Sequence, residues 1–221
     1  MMIELTSTPI ILMVILGVAG MIIPVINVVR KERGSSTFYG AIAFGALLLA
    51  LGFVIFQFYD DNLAPAAIFS EDVLVDDGFG SFFAIAMLIV SIMTVAGSFN
   101  YMRKKSNPAI YFSLILLSSI GMVLIAFATD LVMLFVAWEL MSIPTYILAG
   151  FNKKNPSSNE AAIKYFLFGA LSSGIIIYGI SLAYGITGST NIGDVIYGFA
   201  NLSPEMLPLG LLAIGMFIAG F

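Results

Sequence analysis

The chain is dominated by long, unbroken apolar runs, at about residues 8–29, 37–58, 79–101, 109–127, 131–151, 161–186 and 206–221. About 20 apolar residues suffice to cross the hydrocarbon core of a bilayer, so six runs are long enough and the seventh is cut short. Inside a bilayer every peptide N–H and C=O must be paired within the protein, which leaves a helix bundle or a closed barrel. Unbroken runs, rather than alternating segments of about ten residues, select helices. The composition agrees: 60% of the 221 residues are hydrophobic and 10% are charged, against roughly half and a quarter in a soluble domain. The expected fold is therefore all-α, a polytopic transmembrane bundle forming one domain over residues 1–221. The opening MMIELTSTPIILMVIL is acidic rather than basic, and its apolar run continues to Val29. That is too long for a cleaved signal peptide, so it is expected to be a retained first helix.

The charges are sorted along the chain. Eight of the nine basic residues lie in the first, third and fifth connections, in Arg30-Lys31-Glu32-Arg33, Arg103-Lys104-Lys105 and Lys153-Lys154. The second, fourth and sixth connections have none. The positive-inside rule then predicts that the basic connections are cytoplasmic and the N terminus is outside. The second connection, Tyr59 to Gly78, carries Asp60, Asp61, Glu71, Asp72, Asp76 and Asp77. Its acidity fits an outer loop, although acids contribute little to topology. The stretch Thr187 to Pro204 is expected to be the other sizeable extramembrane connection. Gly40 and Gly45 in the second span, and Gly169, Gly174 and Gly179 in the sixth, are expected to let helices approach closely. With no Cys and no His, the chain has no thiolate or imidazole ligands for iron–sulfur clusters, haem or zinc, and is not expected to carry electrons.

Two charges fall within apolar runs. Glu139 lies nine residues after Asp130 and twelve before Phe151, which places it about 13 Å along its span, near mid-membrane. A carboxylate there costs about 3 kcal/mol unless it is protonated or paired. A permanently protonated hydrogen-bond donor and a packing salt bridge are the structural alternatives to a functional acid. Pro144, five residues on, removes a hydrogen bond to the Leu140 carbonyl, which either leaves an acceptor for water near Ser142 beside the carboxylate or makes a kink that serves only packing. Lys164 is the ninth basic residue and begins the sixth run, with Glu160 one turn before it in the favourable acid-first order. From position alone it either snorkels to the interface or serves the interior. Its depth differs from that of Glu139 by roughly 12 Å, so water would have to join the two. A carboxyl and an amine taken out of water both resist ionisation, and each restores the other's charge as they approach. Changing their separation or hydration would therefore load or release a proton.

The segments Thr129-Asp130-Leu131 through Trp138-Glu139-Leu140-Met141-Ser142-Ile143-Pro144-Thr145-Tyr146 and Asn159-Glu160-Ala161-Ala162-Ile163-Lys164-Tyr165-Phe166-Leu167-Phe168-Gly169-Ala170-Leu171-Ser172-Ser173-Gly174 together resemble subunit N of the proton-pumping NADH:quinone oxidoreductases. They are also similar to the equivalent subunit of archaeal dehydrogenases that oxidise a reduced deazaflavin coenzyme. The match is strongest over about residues 121–186. The resemblance implies an antiporter-like bundle in which Glu139 and Lys164 transfer protons on a hydrated central axis. It implies that no cofactor is bound by this chain, with quinone, iron–sulfur clusters and flavin held by partner subunits. The partners it implies are the lipid bilayer and other membrane-arm subunits, not nucleic acid. In that family a further lysine on a seventh helix partners the glutamate and a second, inverted set of helices follows. Here no lysine appears between Lys164 and Phe221, so the chain is expected to be the N-terminal part of a longer subunit. A subunit of a multisubunit cation/proton antiporter and a structural membrane scaffold are the competing expectations.

Overall fold

The structure, a computed structural model, describes residues 8–30, 35–59, 73–103 and 105–221. Among them the chain forms eight helices: α1 (Thr8–Val29), α2 (Ser36–Tyr59), α3 (Gly78–Met102), α4 (Pro108–Phe127), α5 (Leu131–Ala149), α6 (Pro156–Thr187), α7 (Ile192–Ala200) and α8 (Leu207–Gly220). The first six are long and apolar enough to cross a membrane. Helix α8, with 14 residues, reaches only about 21 Å. The bundle is thus an all-α, multi-pass membrane fold.

Local signals set where the helices begin. The Asp77 carboxylate accepts a hydrogen bond from the Gly80 N–H at 2.7 Å and caps α3. Pro108 and Pro156 stand at the first positions of α4 and α6, where a missing N–H costs nothing. The Asn155 side chain caps α6 through the Ser157 N–H, so α6 starts five residues before the apolar run does. Lys164 is consequently the ninth residue of its helix and lies two turns in, not at the entry expected from hydropathy. The Thr187 to Pro204 stretch also differs from the expected plain connection, because Asn191 caps the nine-residue α7 within it.

Helix α4 is the centre of the bundle and packs against α1, α2, α3 and α5. Apolar contact between helices gains little when the surrounding solvent is also apolar, so close backbone approach and hydroxyl groups hold such interfaces. The α4 serines do this in three directions. Ser113 donates to the Gly20 carbonyl of α1 at 2.5 Å, Ser119 to the Ser91 hydroxyl of α3 at 2.9 Å, and Ser118 to the Met141 carbonyl of α5 at 3.0 Å. At Gly121 a Cβ would lie 2.6 Å from the Ala137 carbonyl oxygen, so α4 and α5 meet backbone to backbone. Of the glycines expected to allow close approach, Gly40, Gly169 and Gly179 face neighbouring side chains, whereas Gly45 and Gly174 face open space. Those two exceptions lie on helix faces that no described residue covers.

The first, third and fifth connections share one end of the bundle. There Arg30 sits 4.4 Å over the Phe38 ring and Lys105 5.4 Å over that of Tyr101. Lys31, Glu32, Arg33 and Lys104, like the acids Asp60, Asp61, Glu71 and Asp72, lie outside the described residues. The opposite end is sewn together by main-chain hydrogen bonds. Val75 N–H donates to Phe127 and Thr129 N–H to Val73, while Leu131 N–H donates to Thr190 and Ile192 N–H to Thr129, at 2.8 to 3.1 Å. The second, fourth and sixth connections are thereby joined.

Candidate functional site in the α5–α6 seam

The five-residue turn after Gly150 makes α5 and α6 antiparallel neighbours. Glu139, Ser142 and Tyr146 recur at i, i+3 and i+7, so they share one face of α5. Gly169 and Ser173, four apart on α6, face them. The Ser173 hydroxyl donates to Glu139 Oε1. The Tyr146 ring is buried, with 9% of its surface exposed, and its hydroxyl end lies where a Cβ on residue 169 would stand. Only glycine leaves that room. The ring meets Tyr165 edge-on at 4.8 Å and Phe166 at 5.9 Å between centroids. Beside Glu139, the Trp138 ring meets that of Phe221 edge-on at 5.1 Å.

Lys164 is elsewhere. Its Nζ is 2.5 Å from Glu160 Oε1, one turn back on the same helix, and its side chain is 65% exposed among the described residues. It stands nine residues before Ser173, about 13 Å along α6. No direct Glu139–Lys164 pair forms, as the depths inferred from sequence require, and the hydrogen bond recorded to Glu139 comes from the Ser173 hydroxyl. Pro144 is buried inside α5. The turn around it gains outside and local donors: Ser118 of α4 reaches the Met141 carbonyl at 3.0 Å, and the Thr145 hydroxyl reaches the Ser142 carbonyl at 2.7 Å.

Several residues here were not singled out by sequence. Ser173 gave no signal, because its partnership with Glu139 depends on the register of two antiparallel helices. Tyr146 stood within the motif at the right spacing, but spacing does not tell a relay from packing. Asp130 served only as a marker of depth. It is in fact 8% exposed and caps α5, accepting from Val132 N–H at 2.8 Å and Met133 N–H at 3.0 Å. Its other oxygen accepts the Thr190 hydroxyl. An Asp directly before an apolar helical run is a readable N-cap, but the partner 60 residues away is not. Among the described residues no three His, Cys, Asp or Glu side chains converge.

Residues 128–220, which contain the whole seam, match the family described as NADH:quinone oxidoreductase/Mrp antiporter, TM. The NADH-quinone oxidoreductase subunit N of Desulfitobacterium hafniense is 36% identical over 223 residues, covering 99% of this chain and 42% of the relative. The F(420)H(2) dehydrogenase subunit N of Methanosarcina mazei is 36% identical over 154 residues, 70% of this chain and 31% of the relative. A chain of respiratory complex I from Thermus thermophilus superposes with a TM-score of 0.73 at 28% identity, over 95% of this chain and 42% of that one. The chain thus spans about two fifths or less of the proteins it matches. In sequence over nearly all of its length, and in fold, it is a homologue of the subunit-N proteins in the NADH:quinone oxidoreductase/Mrp antiporter family.

Proposed function

We propose that the chain is part of a membrane-arm subunit of a respiratory NADH or reduced-deazaflavin:quinone oxidoreductase, and moves protons across the membrane in response to quinone reduction in other subunits. Glu139 and Lys164 are the proton-carrying groups, and the Arg- and Lys-bearing connections face the cytoplasm. The complex's flavin, iron–sulfur clusters and quinone site belong to its partners. The observation that carries this reading is Glu139 itself: a half-buried carboxyl in the middle of a membrane-crossing helix, with a serine hydroxyl from the next helix as its partner. An ionisable group at that depth is costly to keep unless it is used. One elementary charge moved across 100 mV is worth about 2.3 kcal/mol, within reach of small changes in hydration around such a group.

The test is proton uptake per electron pair in inverted membrane vesicles, comparing Glu139→Gln with the wild-type complex at matched assembly and initial electron flux. A lower ratio is expected. An unchanged ratio would leave Glu139 a structural carboxyl and favour a scaffold. A second reading, a subunit of a multisubunit cation/proton antiporter, draws on the description of the matched family, which covers both kinds of protein. It predicts sodium-dependent proton movement in vesicles given no electron donor.

A further inference from the structure

We propose that the basic end of the bundle holds the phosphate of an anionic phospholipid, in a cavity between the α1–α2 and α3–α4 turns. The cavity measures about 540 Å³, and Asn27, Ser36, Thr37, Arg103, Lys105 and Asn107 stand in its wall. No Asp or Glu lines it among the described residues. Neither Arg103 nor Lys105 forms a salt bridge there, since Lys164–Glu160 is the one such pair among the described residues. The cavity thus carries two positive charges that no described acid neutralises.

Three features of the wall suit an anionic oxygen. Ser36 is 9% exposed, and its Oγ has no hydrogen-bond partner. A buried hydroxyl left so is costly, and a phosphate oxygen would supply its acceptor. The Tyr39 hydroxyl donates to Asn27 Oδ1 at 2.8 Å, which leaves the amide NH2 as the group Asn27 can offer a ligand. Asn107 precedes α4 without a side-chain bond to its first amides. Helices α2 and α4 both begin at this cavity, and the positive ends of two helices favour an anion between them.

Depth identifies the source of the phosphate. The cavity lies where α1 and α3 end and α2 and α4 begin, the level at which membrane-crossing helices leave the hydrocarbon and meet the head groups. Val28 and Val29, beside Asn27, and Tyr101, beside Met102 of the cavity wall, are exposed. They offer acyl chains an apolar flank that a free phosphate would not use. Basic pockets between membrane helices at this level suit phospholipid head groups.

The experiment places the purified assembly containing this chain in phosphatidylcholine nanodiscs with a trace of photoreactive lipid. The probe is phosphatidylglycerol or phosphatidylcholine, each with a diazirine near the glycerol, and labelled peptides are mapped by mass spectrometry. Phosphatidylglycerol is expected to label the segments around Ser36 and Arg103 to Asn107 at least tenfold more than phosphatidylcholine does. Inorganic phosphate should not displace it. Arg103→Gln combined with Lys105→Gln should lower the label at least tenfold, since each cation near the surface is worth about fivefold. Ser36→Ala should lower it severalfold with assembly unchanged, because the hydroxyl holds nothing in the protein. Displacement by inorganic phosphate would make this a free-anion site, and equal labelling by the two lipids would make it ordinary lipid contact. Either result overturns the proposal. So does undiminished label in the double variant or, should that variant fail to assemble, in Ser36→Ala.

Discussion

Helices α4 and α6 are both apolar and both long enough to cross a membrane, yet 13 of the 20 residues of α4 are buried and only four of the 32 residues of α6 are. In water such a difference would follow hydrophobicity. In lipid it follows small and hydroxyl-bearing side chains, because an apolar residue is as well solvated by acyl chains as by another helix. Helix α4 presents Ser113, Ser118, Ser119 and Gly121 to three different neighbours. Helix α6 turns Gly169 and Ser173 toward α5 and, about a third of a turn round the helix, Gly179 toward α8, and leaves Ile163, Leu167, Phe168 and Leu171 uncovered among the described residues. The bundle is thus anchored on α4, while the candidate site lies where α5 meets the sparsely packed α6.

The largest effect that would test this contrast is expected from Gly121→Leu. Its side chain would collide with α5 backbone that cannot step aside, and overpacking of this kind costs about 3 kcal/mol. The same change at Gly174, which faces open space, should be nearly silent in thermal unfolding of the purified assembly. Equal losses at the two sites would remove the contrast. Asp130→Ala comes next, because it strips the cap from α5 and the link to Thr190. About 1 to 2 kcal/mol should go, and Asp130→Asn should keep most of it. Ser119→Ala removes one bond between α3 and α4, worth about 0.6 kcal/mol. It would sharpen the comparison by showing how little any single hydroxyl holds. The smallest stability effect is expected from Lys164→Met. An exposed pair within one helix contributes roughly 0.3 kcal/mol, so unfolding should barely change, whereas protons moved per electron should fall. A variant that loses stability but pumps normally would make Lys164 a packing residue.

The fold was largely legible because its cause is local. Each apolar run had to become a helix, and the capping and proline residues that refine the ends, Asp77, Asn155 and Pro156, can be read one position at a time. The site was legible only in part. Glu139 stood out because a carboxyl in an apolar run is costly wherever the run goes, and Lys164 because it broke the sorting of positive charge. Ser173 and Thr190 did not, and Gly169 was marked only for close approach and not for Tyr146, since nothing about a serine, glycine or threonine reveals that it will face a particular residue far along the chain.

The amino-acid sequence by itself determined that this protein crosses the membrane as helices, because a bilayer permits few other solutions to an unpaired backbone, and it marked which charges lie at an unusual depth. Only the tertiary structure decided which hydroxyl meets Glu139 and where Tyr146 rests. Those outcomes depend on how two antiparallel helices slide and rotate against each other. That register is set by close packing summed over many small contacts, and no single residue in the chain specifies it.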